Sequence, residues 1–279
     1  MYAEFEEKTY ESLMNAEFNT KHNIFAPGPV FENLLGIDAA FYSHNINFWR
    51  LFNKKIPKGE YIKSELWDIT EEKLKSDVFP PFKCNLFVQY KRSEYIKSAR
   101  GKEFPYWKKP YFRYKINTQQ NKTLCKLEQN ISSSSIVVYG CSAFYKNMDL
   151  WEFSQAKKII INSNFVKPLQ LANHKRYTFT NHGKEGKAFS EPIDIETINI
   201  FKEIDKLTQE SSFSDNVDFI YSLNNSIMKV VDDFDKEQKF AFKSMFENIK
   251  IPKNNLILKS FSNIILFNFI TNTNWFIVV

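Results

Sequence analysis

The periodicities along this chain predict an α/β sandwich, with a mixed central sheet packed by helices and a mainly helical C-terminal extension. Three observations carry that expectation. Residues 3–21 place Tyr10, Leu13, Met14 and Phe18 at helical spacing. Leu86-Phe87-Val88-Gln89-Tyr90 is a short apolar and aromatic run of the kind that forms a strand. Residues 118–130 return to helical spacing, with Leu124 and Leu127 inward, and Ile136-Val137-Val138-Tyr139 then reads as a buried strand. The order helix, strand, strand, strand, helix, strand implies layers of helix on a mixed sheet.

Each element follows from local residues. Ala26-Pro27-Gly28-Pro29 ends the first helix. Residues 36–43 and 47–52 predict strands joined through Ser43-His44-Asn45, a hairpin-like connection. Residues 53–83 are polar and proline-punctuated and predict an insertion. The strand at 86–92 leads into an aromatic and basic loop reaching about residue 117. After the helix, a loop at 132–135 and the strand at 136–139, Ile159-Ile160-Ile161 and Tyr177-Thr178-Phe179 predict further strands. Two amphipathic helices close the pattern, one over 195–207 and one carrying Ile220, Leu223, Ile227, Val230, Val231 and Phe234. These elements divide the chain into a core at 1–192, interrupted by the insertion, and a helical extension at 193–279 packed on it.

Composition bounds the function classes. At 279 residues with 43% hydrophobic and 25% charged residues, the chain has the make-up of a globular protein with a sizeable core. Its 28 Phe and 13 Tyr fit the codon bias of an AT-rich genome. Seven glycines are few, and neither GxGxxG nor GxxxxGK[ST] occurs, which argues against a nucleotide-binding glycine loop. Cys84, Cys125 and Cys141 lack any CxxC spacing, so reduced buried thiols in the cytoplasm are expected. The acidic N-terminal residues show no signal-peptide pattern. Residues 256–279 are very apolar, but Lys259, Ser260, Ser262, Asn263 and Asn268 interrupt them, which predicts buried core or an interface rather than a membrane span. The net charge of +6 is unevenly spread. Ten Lys or Arg face two Glu between 83 and 115, whereas residues 195–249 carry eleven acidic and six basic residues.

The chemistry-bearing candidates gather around the strand at 86–92. Side chains two apart in a strand share a face, so Gln89 and Lys91 project together. Gly36-Ile37-Asp38 precedes them in sequence. Hydrolysing a phosphodiester takes a metal to polarise phosphate and activate water, plus a cation for the developing charge. Asp38 is a candidate central carboxylate, Gln89 supplies an amide oxygen, and the carbonyl of Tyr90 is a further oxygen ligand for Mg²⁺ or Mn²⁺. Lys91 would contact the attacking water or the scissile phosphate. On the first helix Glu17 falls inside the apolar stripe and Glu11 at its edge. A carboxylate in an apolar stripe is costly unless paired or bound to metal, which makes Glu17 the first helix-side candidate, with Glu11 and Glu32 behind it. Arg92, Lys97, Arg100, Lys102, Lys108, Lys109 and Arg113 interleave with aromatic residues, as in a surface that neutralises phosphates and stacks on unpaired bases. His22, His44, His174 and His182 have no metal-ligand spacing, and Gly140-Cys141-Ser142-Ala143 lacks the closing glycine of a nucleophile elbow.

Glu17 (or Glu11), Asp38 and Gln89-x-Lys91 together resemble the motifs of the PD-(D/E)xK nuclease superfamily, which has the restriction-endonuclease-like fold. The Gln-x-Lys variant is similar to that of type IV restriction and phage-defence nucleases. The resemblance spans residues 8–140, about half the chain, and the stretch from Asp38 to Gln89 is long for the minimal fold. It implies a cytoplasmic, Mg²⁺- or Mn²⁺-dependent endonuclease acting on DNA in defence against foreign genomes. Two alternatives remain: a catalytically inactive nucleic-acid or protein-binding subunit, and an RNA-directed nuclease toxin. The acidic C-terminal part is expected to serve as scaffold, or as a surface for a partner protein or a second copy.

Overall fold

The computed structural model describes residues 1–21, 24–25, 71–75, 80–183, 185–211, 213–248 and 254–279. In chain order, the first helix α1 (Glu7–Lys21) is followed by β1 (Ile24–Phe25) and the short α2 (Glu71–Lys75). Then come β2 (Cys84–Lys91), β3 (Glu94–Ile96), α3 (Phe104–Trp107), β4 (Tyr111–Lys115), α4 (Thr118–Asn130) and β5 (Ser135–Ser142). The chain continues through α5 (Asn147–Gln155), β6 (Ser163–Val166), β7 (Arg176–Phe179), β8 (Gly186–Phe189) and β9 (Ile193–Ile195). It closes with α6 (Ile200–Glu210), α7 (Asn216–Asp232), α8 (Lys236–Asn248), α9 (Leu256–Thr271) and β10 (Asn274–Val278).

The centre is the unit β2–α4–β5. Helix α4 begins where Asn117 accepts a hydrogen bond from the Gln120 amide, and its buried Leu124 and Leu127 lie against the sheet. It carries the chain across so that β5 returns parallel to β2, in a register that sets Gln89 opposite Tyr139 and Lys91 opposite Cys141. The described strands of this mixed sheet run in the order β1-β10-β2-β5-β6. Both faces are covered, which explains why β2 reads as a nearly continuous apolar run rather than an alternating one. One face puts Phe87, Val137, Tyr139 and Ile277 into a core with α4, α7 and α9. The other puts Leu86, Val88, Ile136 and Phe276 against Tyr10, Met14 and Phe18 of α1, with Leu150 of α5 and Ile204 of α6.

A second, antiparallel sheet runs in the order β3-β4-β7-β8-β9 and adds Phe112, Tyr114, Tyr177 and Phe179 to the first core. Gly186 is required here. A Cβ on it would stand 2.0 Å from the Tyr177 hydroxyl, which instead donates to Asn164 at 2.9 Å. This sheet is tied together by Glu103, a carboxylate only 1% exposed that accepts from the Tyr111 hydroxyl at 3.0 Å, Arg113 at 3.2 Å and Arg176 at 2.6 Å.

Several elements differ from the sequence expectation. The basic segment after β2 is not a loop. It forms β3, α3 and β4, because Arg113 turns inward to Glu94 and Glu103 and so lets the strand bury Tyr111, Phe112 and Tyr114. The isoleucine run at 159–161 is a 3₁₀ turn rather than a strand, and β6 starts just after it. Helix α6 begins at Ile200, where Asn199 caps it, because residues 193–195 are taken by β9. The C-terminal segment packs on the core and also supplies β10, which lies between β1 and β2, so the last strand of the chain is part of the central sheet. Trp275, Phe276, Ile277 and Val278 are all buried there. The strands expected at 36–43 and 47–52 lie outside the described residues, as does the insertion at 53–83 apart from α2 and residues 80–83.

Candidate functional site

Gln89 and Lys91 leave β2 on the face covered by α4, at the carboxyl end of the parallel pair. Gln120, in the first turn of α4, joins them. Its Nε2 donates to Gln89 Oε1 at 2.6 Å and to the Thr271 carbonyl at 2.8 Å, while its Oε1 accepts from Lys91 Nζ at 2.7 Å. The Thr271 carbonyl is one of those that the end of α9 leaves without an intrahelical partner, so one glutamine ties α4, β2 and α9. Gln89 Nε2 donates to the Tyr90 carbonyl at 3.0 Å. The Lys91 ammonium stands 5.5 Å from the centre of the Tyr139 ring.

Burial holds the Lys91 pKa below the ordinary 10.5, against the opposing charge of Glu7. Glu7 opens α1 and accepts from the Arg92 amide at 3.0 Å. Burial pushes its carboxyl above the ordinary range, and Lys91 and the Arg92 amide offset part of that rise. The pair is thus a half-desolvated acid and base at the end of a central strand, a position where open α/β sheets place ligands. Sequence reasoning passed over Glu7. The signal available was its place in the first turn of α1, and only the fold shows that this turn lies against the end of β2.

The remaining candidates separate clearly. Glu17 is not brought to Gln89. It lies on α1, on the opposite face of the sheet, and its Oε2 accepts from the Ile159 amide at 2.6 Å and the Ile160 amide at 3.4 Å. These bonds help satisfy the carboxylate in the apolar stripe by capping the 3₁₀ turn. Glu11 accepts from Lys8 at 2.7 Å. Asp38, Glu32, His22 and His44 lie outside the described residues. The Tyr90 ring points to the α1 side, where its hydroxyl donates to Asn15 at 2.5 Å.

Among the basic residues, two are structural. Arg92 pairs with Glu6 at 3.0 Å and donates to the Ala3 carbonyl at 2.7 Å, and Arg113 is held between Glu94 and Glu103. Both remain partly exposed but are held by acids of the fold. Lys97, Arg100, Lys102, Lys108 and Lys109 are exposed. The thiols show no activation, since burial pushes Cys84 up to about 12, Cys125 up to about 11 and Cys141 well above its ordinary value.

Among the described residues no group of three or more His, Cys, Asp or Glu is arranged to hold a metal. The groups at the strand end include three oxygen donors, the Glu7 carboxylate, the Gln89 amide and the Tyr90 carbonyl, a chemistry that suits Mg²⁺ or Mn²⁺, beside the Cys141 thiol, which burial keeps protonated. Among the described residues no helix is long and apolar enough to cross a membrane. Comparison with known proteins found no matching family model, no similar curated protein and no similar solved structure.

Proposed function

We propose that this chain is a metal-dependent nuclease that hydrolyses phosphodiester bonds, with DNA as substrate and defence against foreign nucleic acid as its role in the cytoplasm. The observation that supports this reading is Lys91, a partly desolvated ammonium fixed by Gln120 at the carboxyl end of a parallel strand. Such a cation is placed to neutralise charge gathering on a phosphate. Gln89, on the same face, would offer its amide oxygen to Mg²⁺ or Mn²⁺, exchanging for it the hydrogen bond from Gln120. Asp38 is the proposed second ligand, and Glu7 replaces Glu17 as the helix-side acid. When bound, the metal would polarise the phosphate and activate water. A nucleic-acid or protein-binding subunit without catalysis is the second reading, favoured by the way the Gln89 amide is already satisfied within the protein.

Incubating the purified protein with plasmid DNA, and separately with single-stranded DNA and RNA, with Mg²⁺ or EDTA tests the proposal. Metal-dependent cleavage of DNA that is lost in Lys91→Ala and Asp38→Ala, with folding intact, is the expected result. Cleavage confined to RNA would reassign the substrate. No cleavage with either metal, or cleavage unaffected by both substitutions, would overturn the reading.

A further inference from the structure

The carboxyl ends of the same two parallel strands open onto a groove that the Lys91 centre does not use. Beyond β5 the chain runs through Ala143, Phe144 and Tyr145, and beyond β2 it reaches Tyr95. These residues line one side of a cavity of about 490 Å³, with Phe112 and Phe153 completing its apolar part. That volume falls within the range of small-molecule sites.

Three properties define what the groove can hold. First, it presents flat aromatic surface. Tyr95 and Tyr145 stack with ring centres 4.4 Å apart and planes 11° from parallel, and Phe112 packs on Tyr95 with ring centres 4.9 Å apart and planes tilted by 38°. Tyr95, Tyr145 and Phe153 are only half-buried, so their rings are not consumed by the core. Second, its wall carries both Lys109 and Asp149, and a further lysine, Lys97, stands beside the aromatic pair. Lys97 Nζ lies 5.7 Å from the centre of Tyr95 and 5.8 Å from that of Tyr145. Third, Asn162, Thr180 and Asn181 bring hydrogen-bonding side chains to the wall. A ligand matching all three has a planar ring, polar groups on the ring edge and a phosphate nearby. A base within a duplex has both faces stacked and its pairing edge occupied, so the match is to an unpaired nucleotide.

We propose that this groove receives an unpaired nucleotide of the strand that the Lys91 centre acts on, with the base on the Tyr145 ring, which Tyr95 backs, and the phosphates on Lys97 and Lys109. The identity of that strand rests on the nuclease reading, but binding does not. Tyr95 follows Lys91 by four residues, so their Cα atoms are at most ~14 Å apart, a few nucleotides along a stacked strand. The groove would thus select substrate with a single-stranded or locally opened segment beside the cleavage point.

Fluorescence anisotropy of a labelled ten-nucleotide single strand in EDTA, with the same sequence as duplex alongside, tests this without cleavage. Single strand should bind more tightly than duplex. Tyr145→Ala and Lys97→Glu should each weaken single-strand binding about tenfold, and Tyr145→Phe should preserve it. Circular dichroism of each variant guards against unfolding, and Lys97, being exposed, serves where Tyr145→Ala fails to fold. Equal binding by wild type, Tyr145→Ala and Lys97→Glu, or a preference for duplex, would overturn the groove. If binding depends on Tyr145 while no metal supports cleavage, the groove stands and the nuclease reading falls. Cleavage without any dependence of binding on Tyr145 or Lys97 gives the reverse.

Discussion

Glu103→Ala is the substitution whose effect the structure specifies most fully. The carboxylate is 1% exposed and holds two guanidiniums and a phenol, linking the segment before β4 to both β4 and β7. Its loss strands Arg176, which has Glu103 as its ion-pair partner, while Arg113 keeps Glu94 at 2.6 Å. Breaking a buried ion pair costs about 3–5 kcal/mol. The Arg113 and Arg176 side chains remain 20% and 23% exposed, so water recovers part of the loss and the lower figure, about 3 kcal/mol, applies. For a chain of this size that corresponds to a Tm lower by roughly 6–12 °C. Burial tends to raise the Glu103 pKa, but the hydrogen bonds from Tyr111 and Arg176 and the charges of Arg113 and Arg176 outweigh it and hold the pKa below the ordinary 4.5. The charge contribution is therefore present above pH 4.5 and is lost as pH falls through the lower folded value. Urea unfolding of wild type and variant at pH 7, repeated toward acid, reads both effects. A difference under about 1 kcal/mol at pH 7, an ordinary surface value, would refute the clamp. So would a gap that fails to narrow in acid.

Three further outcomes are expected. Lys91→Met should abolish cleavage, and it relieves a desolvation cost whose gain, up to about 1 kcal/mol at neutral pH, is offset by the lost hydrogen bond to Gln120. Because the folded pKa of Lys91 lies below 10.5, that gain is complete below the folded pKa and fades as pH rises toward 10.5, which urea titrations at neutral and alkaline pH would reveal. Glu17→Gln keeps an acceptor for the Ile159 amide and should retain cleavage, with a stability loss of about 1 kcal/mol; loss of cleavage in a folded protein would return Glu17 to the metal site. Tyr139→Phe removes a buried hydroxyl that has no hydrogen-bond partner among the described residues, and thermal melting should show it neutral or stabilised by about 1 kcal/mol.

What the sequence made legible and what it hid divide along physical lines. Helix α4 was readable to the residue, since its inward leucines are a local periodic signal. The same-face placement of Gln89 and Lys91 followed from strand geometry alone. Glu17 was flagged correctly as a carboxylate that must be satisfied, but periodicity states the need and not the partner. Two of its partners are backbone amides 142 and 143 residues away. Arg113 hid β4 for the same reason: an arginine in a strand reads as loop or surface until its acids, Glu94 and Glu103, are brought beside it. The C-terminal residues were readable as core from their apolar character, yet their insertion as β10 beside β2 is a non-local pairing that no window of sequence encodes.

The same distinction bears on the strand end itself. A Gln-x-Lys pair is common on exposed strand faces, where both side chains would be solvated and mobile. Here the pair is held from outside its own strand: Gln120 reaches it from α4, and the charge of Glu7 on α1 opposes the effect of burial on Lys91. The cost of keeping Lys91 partly desolvated is borne by an arrangement drawing on three separate stretches of chain, and a salt bridge in solvent would not need one. A purely structural role would be served as well by a neutral residue in hydrogen-bond reach of Gln120. Comparing Lys91→Met with Lys91→Gln therefore separates the two explanations. If the cation is there for a phosphate, Lys91→Gln should preserve the Gln120 contact and the stability while losing cleavage and Mg²⁺-dependent binding of nucleic acid. If instead the lysine serves the fold, Lys91→Gln should leave both activities intact.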